Sequence, residues 1–178
     1  MGMDLDNGRK QLVMEWYELY YDDMYRFIFF MLGDKQCCED FVHDTFVRAY
    51  TAYDRFNHRS NIKTWLFSIA KHLVLDEIRK RKRYRFISFD REISSSFNLE
   101  QYIENKESVS QLYSAIQKIK PNYRLVIILK KIEECSTKEI SQILGWSEAK
   151  VRKTLSRALQ SLRKRNAIEG GEHIEQTL

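Results

Sequence analysis

The stretch from Ser136 to Arg165 constrains this chain more than any other feature. Ser136-Thr137-Lys138-Glu139 fits the S-x-x-E capping box, in which the serine side chain accepts from a backbone N–H three residues on and the glutamate accepts from the serine's own N–H. Ile140, Ile143 and Leu144 then fall on one helical face. Gly145 stands where a left-handed residue closes a helix, and Ser147 offers an N-cap to a second helix starting at Glu148. Two helices joined by a short glycine-containing turn make the helix-turn-helix pattern. The second of them separates into two faces. Val151, Leu155, Ala158 and Leu162 repeat at i, i+4, i+7 and i+11 and predict a core-facing stripe. Ala149, Arg152, Lys153, Ser156 and Arg157 lie opposite. A recognition helix needs this division, because its N-terminal part enters the major groove and reads base edges. Ser147, Lys150, Arg152, Lys153, Ser156 and Arg157 are therefore the candidate DNA-contacting residues, with Arg152 and Arg157 suited to bidentate pairing with guanine. Arg163-Lys164-Arg165 reads as a phosphate grip or a solvated end. A basic face alone is more often merely solvated. Two caps and a glycine turn beside it are what point to DNA.

The rest of the chain also reads as helix. One proline and six glycines among 178 residues disfavour an all-β protein, which needs turn residues at regular intervals. A first helix is predicted from about Gln11 to Leu32, rich in aromatics, with Gly33 as its C-terminal cap. A second spans roughly Gln36 to Tyr53, with Phe41, Thr45, Phe46, Ala49 and Tyr53 expected to be buried and Asp40, Asp44, Val47, Arg48 and Thr51 off that face. A polar connection, Asp54 to Ser60, leads to Asn61 as N-cap of a third helix, Ile62 to about Arg83. Its apolar stripe is Trp65, Leu66, Ile69, Leu73, Val74 and Ile78, with Trp65 read as core, and Lys63, Lys71, Asp76 and Arg79 decorate the other side. From Tyr84 to about Ser108 the periodicity fails and the chain reads as a linker, although Phe86, Phe89 and Phe97 suit docking. A second cluster begins near Val109. Leu112, Ile116 and Ile119 mark one face, Pro121 ends that helix, and Tyr123 to about Glu133 is strongly apolar. The expected architecture is all-α: two small helical domains at 11–83 and 109–165, a flexible linker at 84–108 and an acidic tail at 166–178.

The net charge of +5 is concentrated in Arg79 to Arg83 and in Lys150 to Arg165, while Glu169, Glu172 and Glu175 make the tail acidic. That distribution favours a polyanionic partner. Three cysteines do not make a disulfide framework, and adjacent Cys37 and Cys38 lack the spacing of a zinc site. Reduced thiols, no metal and no cofactor are expected. The longest apolar run, Phe27 to Leu32, is too short to span a bilayer, and Met1 to Lys10 is polar, with Asp4 and Asp6 ahead of Arg9 and Lys10. Both predict a cytoplasmic protein without stable membrane insertion. An enzyme using Asp40 and Asp44 on DNA would lack a nucleophile and a third ligand, so no catalytic residues are expected. A stand-alone helix-turn-helix regulator would need a dimer or a ligand pocket, and the basic third helix argues against a sensory first domain.

Two blocks carry a family resemblance. The first is Cys38-Glu39-Asp40-Phe41-Val42-His43-Asp44-Thr45-Phe46-Val47-Arg48-Ala49-Tyr50, followed by Asp54-Arg55-Phe56 and by Lys63-Thr64-Trp65-Leu66-Phe67-Ser68-Ile69-Ala70-Lys71-His72. The second runs from Pro121-Asn122-Tyr123-Arg124 to Arg157-Ala158-Leu159. In order and spacing they resemble the two domains of the extracytoplasmic-function (ECF) sigma factors of bacterial RNA polymerase. The resemblance implies that the first domain holds core RNA polymerase and melts the minus-ten promoter element, and that the second binds the minus-thirty-five element as duplex. It implies polymerase contacts for Asp40, His43, Asp44 and Arg48, where the family usually has Gln-Glu in place of His43-Asp44. It implies that Asn57, His58, Ser60, Asn61 and Lys63 capture a flipped base of the melted strand. Lys71, His72, Asp76 and Arg79 would then contact backbone and duplex, His72 standing where the family often has Asn. A linker threading the polymerase, an anti-sigma factor as regulator and a monomeric free state are further implications.

Overall fold

The computed structural model describes residues 2–56, 60–87 and 106–169, with side chains over 7–56, 60–84 and 112–164. Seven α-helices occur among them: α1 (Gly2–Leu32), α2 (Lys35–Thr51), α3 (Ile62–Ile87), α4 (Lys106–Gln117), α5 (Pro121–Ile127), α6 (Thr137–Leu144) and α7 (Glu148–Glu169). A 3-10 turn occupies Tyr53–Arg55 and a wide π turn Ile128–Ile132. The helices group into two compact units, α1 to α3 in one and α4, α5 and α7 in the other, with α6 divided between them. The all-α, two-part architecture expected from the periodicity is present. Most of the linker, with Phe89 and Phe97, lies outside the described residues, as does the tail beyond Glu169.

In the first unit each helix packs on the other two. Apolar side chains all round the second half of α1 explain why it sits centrally: every residue from Phe27 to Leu32 is buried. Phe27 meets Phe67 of α3 edge to face at 5.3 Å. α2 contributes Cys38, Val42, Phe46 and Ala49. The predicted face of α2 is corrected in part, since Phe41 and Tyr53 are only half-buried while Cys38 and Val42 are sealed. Gly33 ends α1 at φ 72, donating to the Phe29 carbonyl at 2.8 Å. Asp34 then caps α2 through the Gln36 N–H at 3.1 Å.

Several boundaries move. α1 begins well before Gln11 because nothing in that stretch breaks a helix: Gly2 stands at its first position, and Gly8 is its only interior glycine, at a cost of about 1 kcal/mol. α2 stops at Thr51 and the chain tightens into the 3-10 turn, which ends where the Phe56 N–H meets the Tyr53 carbonyl at 2.9 Å. α3 runs on to Ile87, since straight-chain basic residues favour helix, so the linker starts later than Tyr84. α4 already begins at Lys106.

The second unit is centred on α5. Leu125 to Leu129 are all essentially inaccessible, as a helix buried on every side requires. Pro121 opens this helix and does not end the previous one, because its missing N–H is harmless at the first position. The expected straight helix to Glu133 instead widens after Ile127. The Glu133 N–H reaches the Ile128 carbonyl at 2.9 Å and the Cys135 N–H reaches Leu129 at 2.8 Å, with Glu134 left-handed at φ 55. Arg124, 8% exposed, joins α5 to the end of α4. Its guanidinium donates to the Gln117 carbonyl at 2.6 Å and to Gln117 Oε1 at 2.8 Å, which satisfies helix-end groups that have no intrahelical partner. Burial pushes its pKa down to about 10.

Candidate nucleic-acid interface

The helix-turn-helix forms as its sequence predicts. Ser136 N–H donates to Glu139 Oε2 at 2.8 Å, and the Glu139 N–H donates to Ser136 Oγ at 3.2 Å, closing the capping box. Gly145 is left-handed at φ 66, where any side chain would be strained. Ser147 Oγ accepts from the Lys150 N–H at 3.2 Å and starts α7. The turn is braced by Ser141, whose hydroxyl donates to the Trp146 carbonyl at 2.6 Å.

α7 divides as expected. Val151, Ala158 and Leu162 are buried and Leu155 half-buried, while Ser147, Ala149, Lys150, Arg152, Lys153, Ser156 and Arg157 are all exposed. The six candidate residues therefore share one accessible surface. Two of its cations are held in place. Lys150 Nζ sits 4.2 Å from the centre of the Trp146 ring, and Arg152 pairs with Glu148 at 3.3 Å one turn earlier. Both Arg152 and Glu148 are well exposed, so this pair is worth little in stability.

On the first unit, the candidate residues at the start of α3 come together only in part. Asn61 caps the helix, its Oδ1 accepting from the Thr64 N–H at 2.7 Å. Lys63 is not a free cation: it pairs with Asp23 of α1 at 2.9 Å and lies 5.8 Å from the Phe67 ring centre. Ser60 is half-buried, and Asn57 and His58 lie outside the described residues. Farther along, His72, Asp76 and Arg79 share an exposed face. The His72 ring contacts the Ser68 carbonyl at 2.7 Å, and Arg79 pairs with Asp76 at 2.6 Å. Lys71 does not belong to that face. It falls in the register of Phe67, Val74 and Ile78 and is 8% exposed, and burial pushes its ammonium below the ordinary lysine range. Trp65 is packed but not sealed, 4.7 Å from Phe56 and 6.1 Å from Trp16 between ring centres.

α2 presents the third candidate surface. Asp40, His43, Asp44 and Arg48 are all exposed on one side. Val47, 45% exposed, lies among them. A single exposed apolar side chain is ordinary on a protein surface, and spacing alone already places Val47 off the core. At the start of this helix Arg81 of α3 reaches Asp34 at 3.0 Å, Glu77 at 2.7 Å and Cys37 Sγ at 3.3 Å. The adjacent Cys38 thiol, and beyond it Arg81, hold the Cys37 thiol below its ordinary range against the opposing effect of burial. The same neighbour and burial push Cys38 upward. Cys37 is half-buried, and Cys38 and Cys135 are buried. Iodoacetamide is therefore expected to alkylate Cys37 well before the other two, and to do so at a lower pH than a free thiol requires. Peptide mass spectrometry over a pH series, with Cys37→Ser as control, checks this.

Among the described residues, no group of three or more His, Cys, Asp or Glu side chains is placed to hold a metal ion, and no helix is long and apolar enough to cross a membrane.

Comparison with known proteins assigns both units. The Sigma-70 region 2 model matches residues 16–84 and the Sigma-70 region 4 model matches residues 110–162. The ECF RNA polymerase sigma factor SigX of Bacillus subtilis is 35% identical over 156 residues, spanning 83% of this chain and 80% of that protein. SigM of the same organism is 34% identical over 150 residues, spanning 84% and 91%. Among solved structures, the sigma factor RpoE in complex with the anti-sigma factor NepR from Bartonella quintana superposes with a TM-score of 0.71 at 25% identity, covering 85% of this chain and 94% of that one. CnrH in complex with the cytosolic domain of CnrY, at 21% identity and a TM-score of 0.70, shares the fold.

Proposed function

Because this chain belongs to the sigma-70 family, in its extracytoplasmic-function branch, we propose that its three exposed surfaces divide the work of promoter recognition. The protein is a sigma factor that directs core RNA polymerase to specific promoters. In this reading Asp40, His43, Asp44 and Arg48 of α2 bind the polymerase. Ser60, Asn61 and Lys63, with Asn57 and His58, take the melted minus-ten strand, and His72, Asp76 and Arg79 contact the adjoining DNA. Ser147, Lys150, Arg152, Lys153, Ser156 and Arg157 read the minus-thirty-five duplex. Lys71, being buried, is left out of the contact set.

The observation that carries this reading is the face of α7. It gathers four cations and two hydroxyls on one accessible side, directly after a glycine turn, and its other side is apolar and packed. No chemistry is asked of these residues beyond binding and strand separation, so the protein acts as an initiation factor and not as a catalyst. It works in the cytoplasm as a monomer when free. An anti-sigma factor restrains it, as NepR is bound to its relative RpoE, and its genes belong to a stress or envelope response.

Run-off transcription with core polymerase on a promoter library tests the proposal. Start-site-specific RNA is the expected product, and none from any template would overturn it. Contacts to phosphate should make promoter affinity fall steeply with salt, by about 0.9 log unit per log unit of salt for each phosphate neutralised. Lys164→Ala, at an exposed residue of the basic run read as a phosphate grip, is expected to weaken binding evenly across promoter sequences and to reduce that slope by about one, as measured by fluorescence anisotropy of the holoenzyme over a salt series.

A further inference from the structure

Trp146 stands at the turn of the helix-turn-helix, between Gly145 and the cap residue Ser147, and the division of labour above gives it no part. Its backbone is fixed twice. Its N–H donates to the Ser141 carbonyl at 3.1 Å, and its carbonyl accepts from the Ser141 hydroxyl at 2.6 Å. An apolar residue after a left-handed helix-closing glycine commonly packs back on the helix just ended. Leucine would serve that purpose as well. Only an aromatic ring can also hold a cation on its face, and indole does so best. The Lys150 ammonium lies 4.2 Å from the centre of the Trp146 ring, well inside the reach of about 6 Å for such contacts. The ring is half-buried and Lys150 is exposed. The Lys150 N–H also donates to Ser147 Oγ at 3.2 Å, so both ends of this lysine are tied to the turn. A free lysine samples many rotamers, and ordering them on binding costs affinity. Its three N–H donors cannot all point into one ring, so a lysine held there still offers donors to a ligand.

We propose that Trp146 is a positioning residue for promoter binding: its ring presets the Lys150 ammonium at the entry of α7 for a backbone phosphate of the minus-thirty-five duplex. A phosphate is the fitting acceptor, since an ammonium is a point charge without the planar two-pronged geometry that reads guanine. This rests on the assignment of the α7 face to that duplex. Trp146 touches no DNA in this scheme and acts through Lys150. Its backbone bonds to Ser141 do not depend on the side chain, so replacing the ring leaves them in place.

The test uses holoenzyme assembled from core polymerase and the full chain. The probe is a fluorescent promoter duplex selected from a library by the wild-type holoenzyme and titrated over a salt series. Trp146→Leu is expected to weaken binding about two- to fivefold, the worth of an exposed cation–π contact, with Trp146→Phe intermediate. The salt slope should stay as in the wild type, because the charge is kept. The penalty for scrambling the minus-thirty-five element should stay too, because the arginines are untouched. Lys150→Ala is expected to weaken binding and to lower the slope by about one, and adding Trp146→Leu to it should change nothing further. Wild-type binding by Trp146→Leu overturns the proposal. Tighter binding does so too, since Lys150 must then leave the ring to reach DNA. An undiminished effect of Trp146→Leu beside Lys150→Ala, or a lost penalty for the scrambled element, marks a merely structural role and overturns it as well. Circular dichroism melting checks that Trp146→Leu folds, and Trp146→Phe takes its place in the same comparisons if it does not. Arg152→Ala separates the two layers. If it weakens binding and Lys150→Ala does not, only the roles of Lys150 and Trp146 fall. If neither does, the assignment of the α7 face falls with them.

Discussion

Alanine at Arg152 or Arg157 is expected to cut use of the minus-thirty-five element by about 1–3 kcal/mol each, the value of one good bidentate contact to a base. Every 1.4 kcal/mol is about tenfold in affinity, so either variant should lose roughly one to two orders of magnitude on a promoter that depends on this element. Both residues are exposed and leave no buried partner behind. Removing Arg152 breaks its pair with Glu148 at 3.3 Å, and a surface pair of this kind is of small worth. The variants should therefore fold and bind core polymerase normally. In vitro transcription from paired templates, one with the element intact and one with it scrambled, checks this. The defect should be large on the first template and vanish on the second. An equal defect on both would remove the two arginines from base reading.

The second large effect concerns stability. Phe67→Ala is expected to destabilise the first unit by about 3–5 kcal/mol, the usual cost of truncating a buried phenylalanine. Phe67 is fully inaccessible and lies edge to face with Phe27, so the cavity opens at the centre of the three-helix core. A unit of this size buries only about 60% of its unfolded surface and has little stability to spare. Hydrogen exchange read by mass spectrometry should show protection of α1, α2 and α3 collapsing, while protection of α5 and α7 persists. Polymerase binding should weaken accordingly, since only the folded fraction of α2 presents Asp40 and Asp44, and excess core polymerase should recover part of it by mass action. Loss of protection in both units at once would contradict their separate cores.

Short-range features were legible from the residues alone because their causes span only a few positions. Ser136 and Glu139, Ser147 and Lys150, and Asn61 and Thr64 are each three apart, and each forms the predicted cap bond. The glycines at 33 and 145 end helices at positive φ because no other residue adopts that backbone cheaply. The two-faced α7 follows from spacing in the same way. Lys71 departs from the predicted face. Its neighbour His72 is exposed, but one step along a helix turns the side chain by about 100°, enough to carry Lys71 into the register of Phe67 and Val74.

The all-α class, the two units, the caps and the two-faced α7 are thus set by residue order, since each depends on propensity and periodicity within one or two turns. Which charged residues are tied to another helix is set by packing. Lys63 is tied to Asp23, Arg81 to Asp34 and Cys37, and Arg9 to Asp54. Packing also sets the widening of the apolar run after Ile127 into a π turn. Such pairings join residues far apart in the chain, and the physical reason they are invisible beforehand is that a charge carries no mark of its partner until packing brings the two helices together.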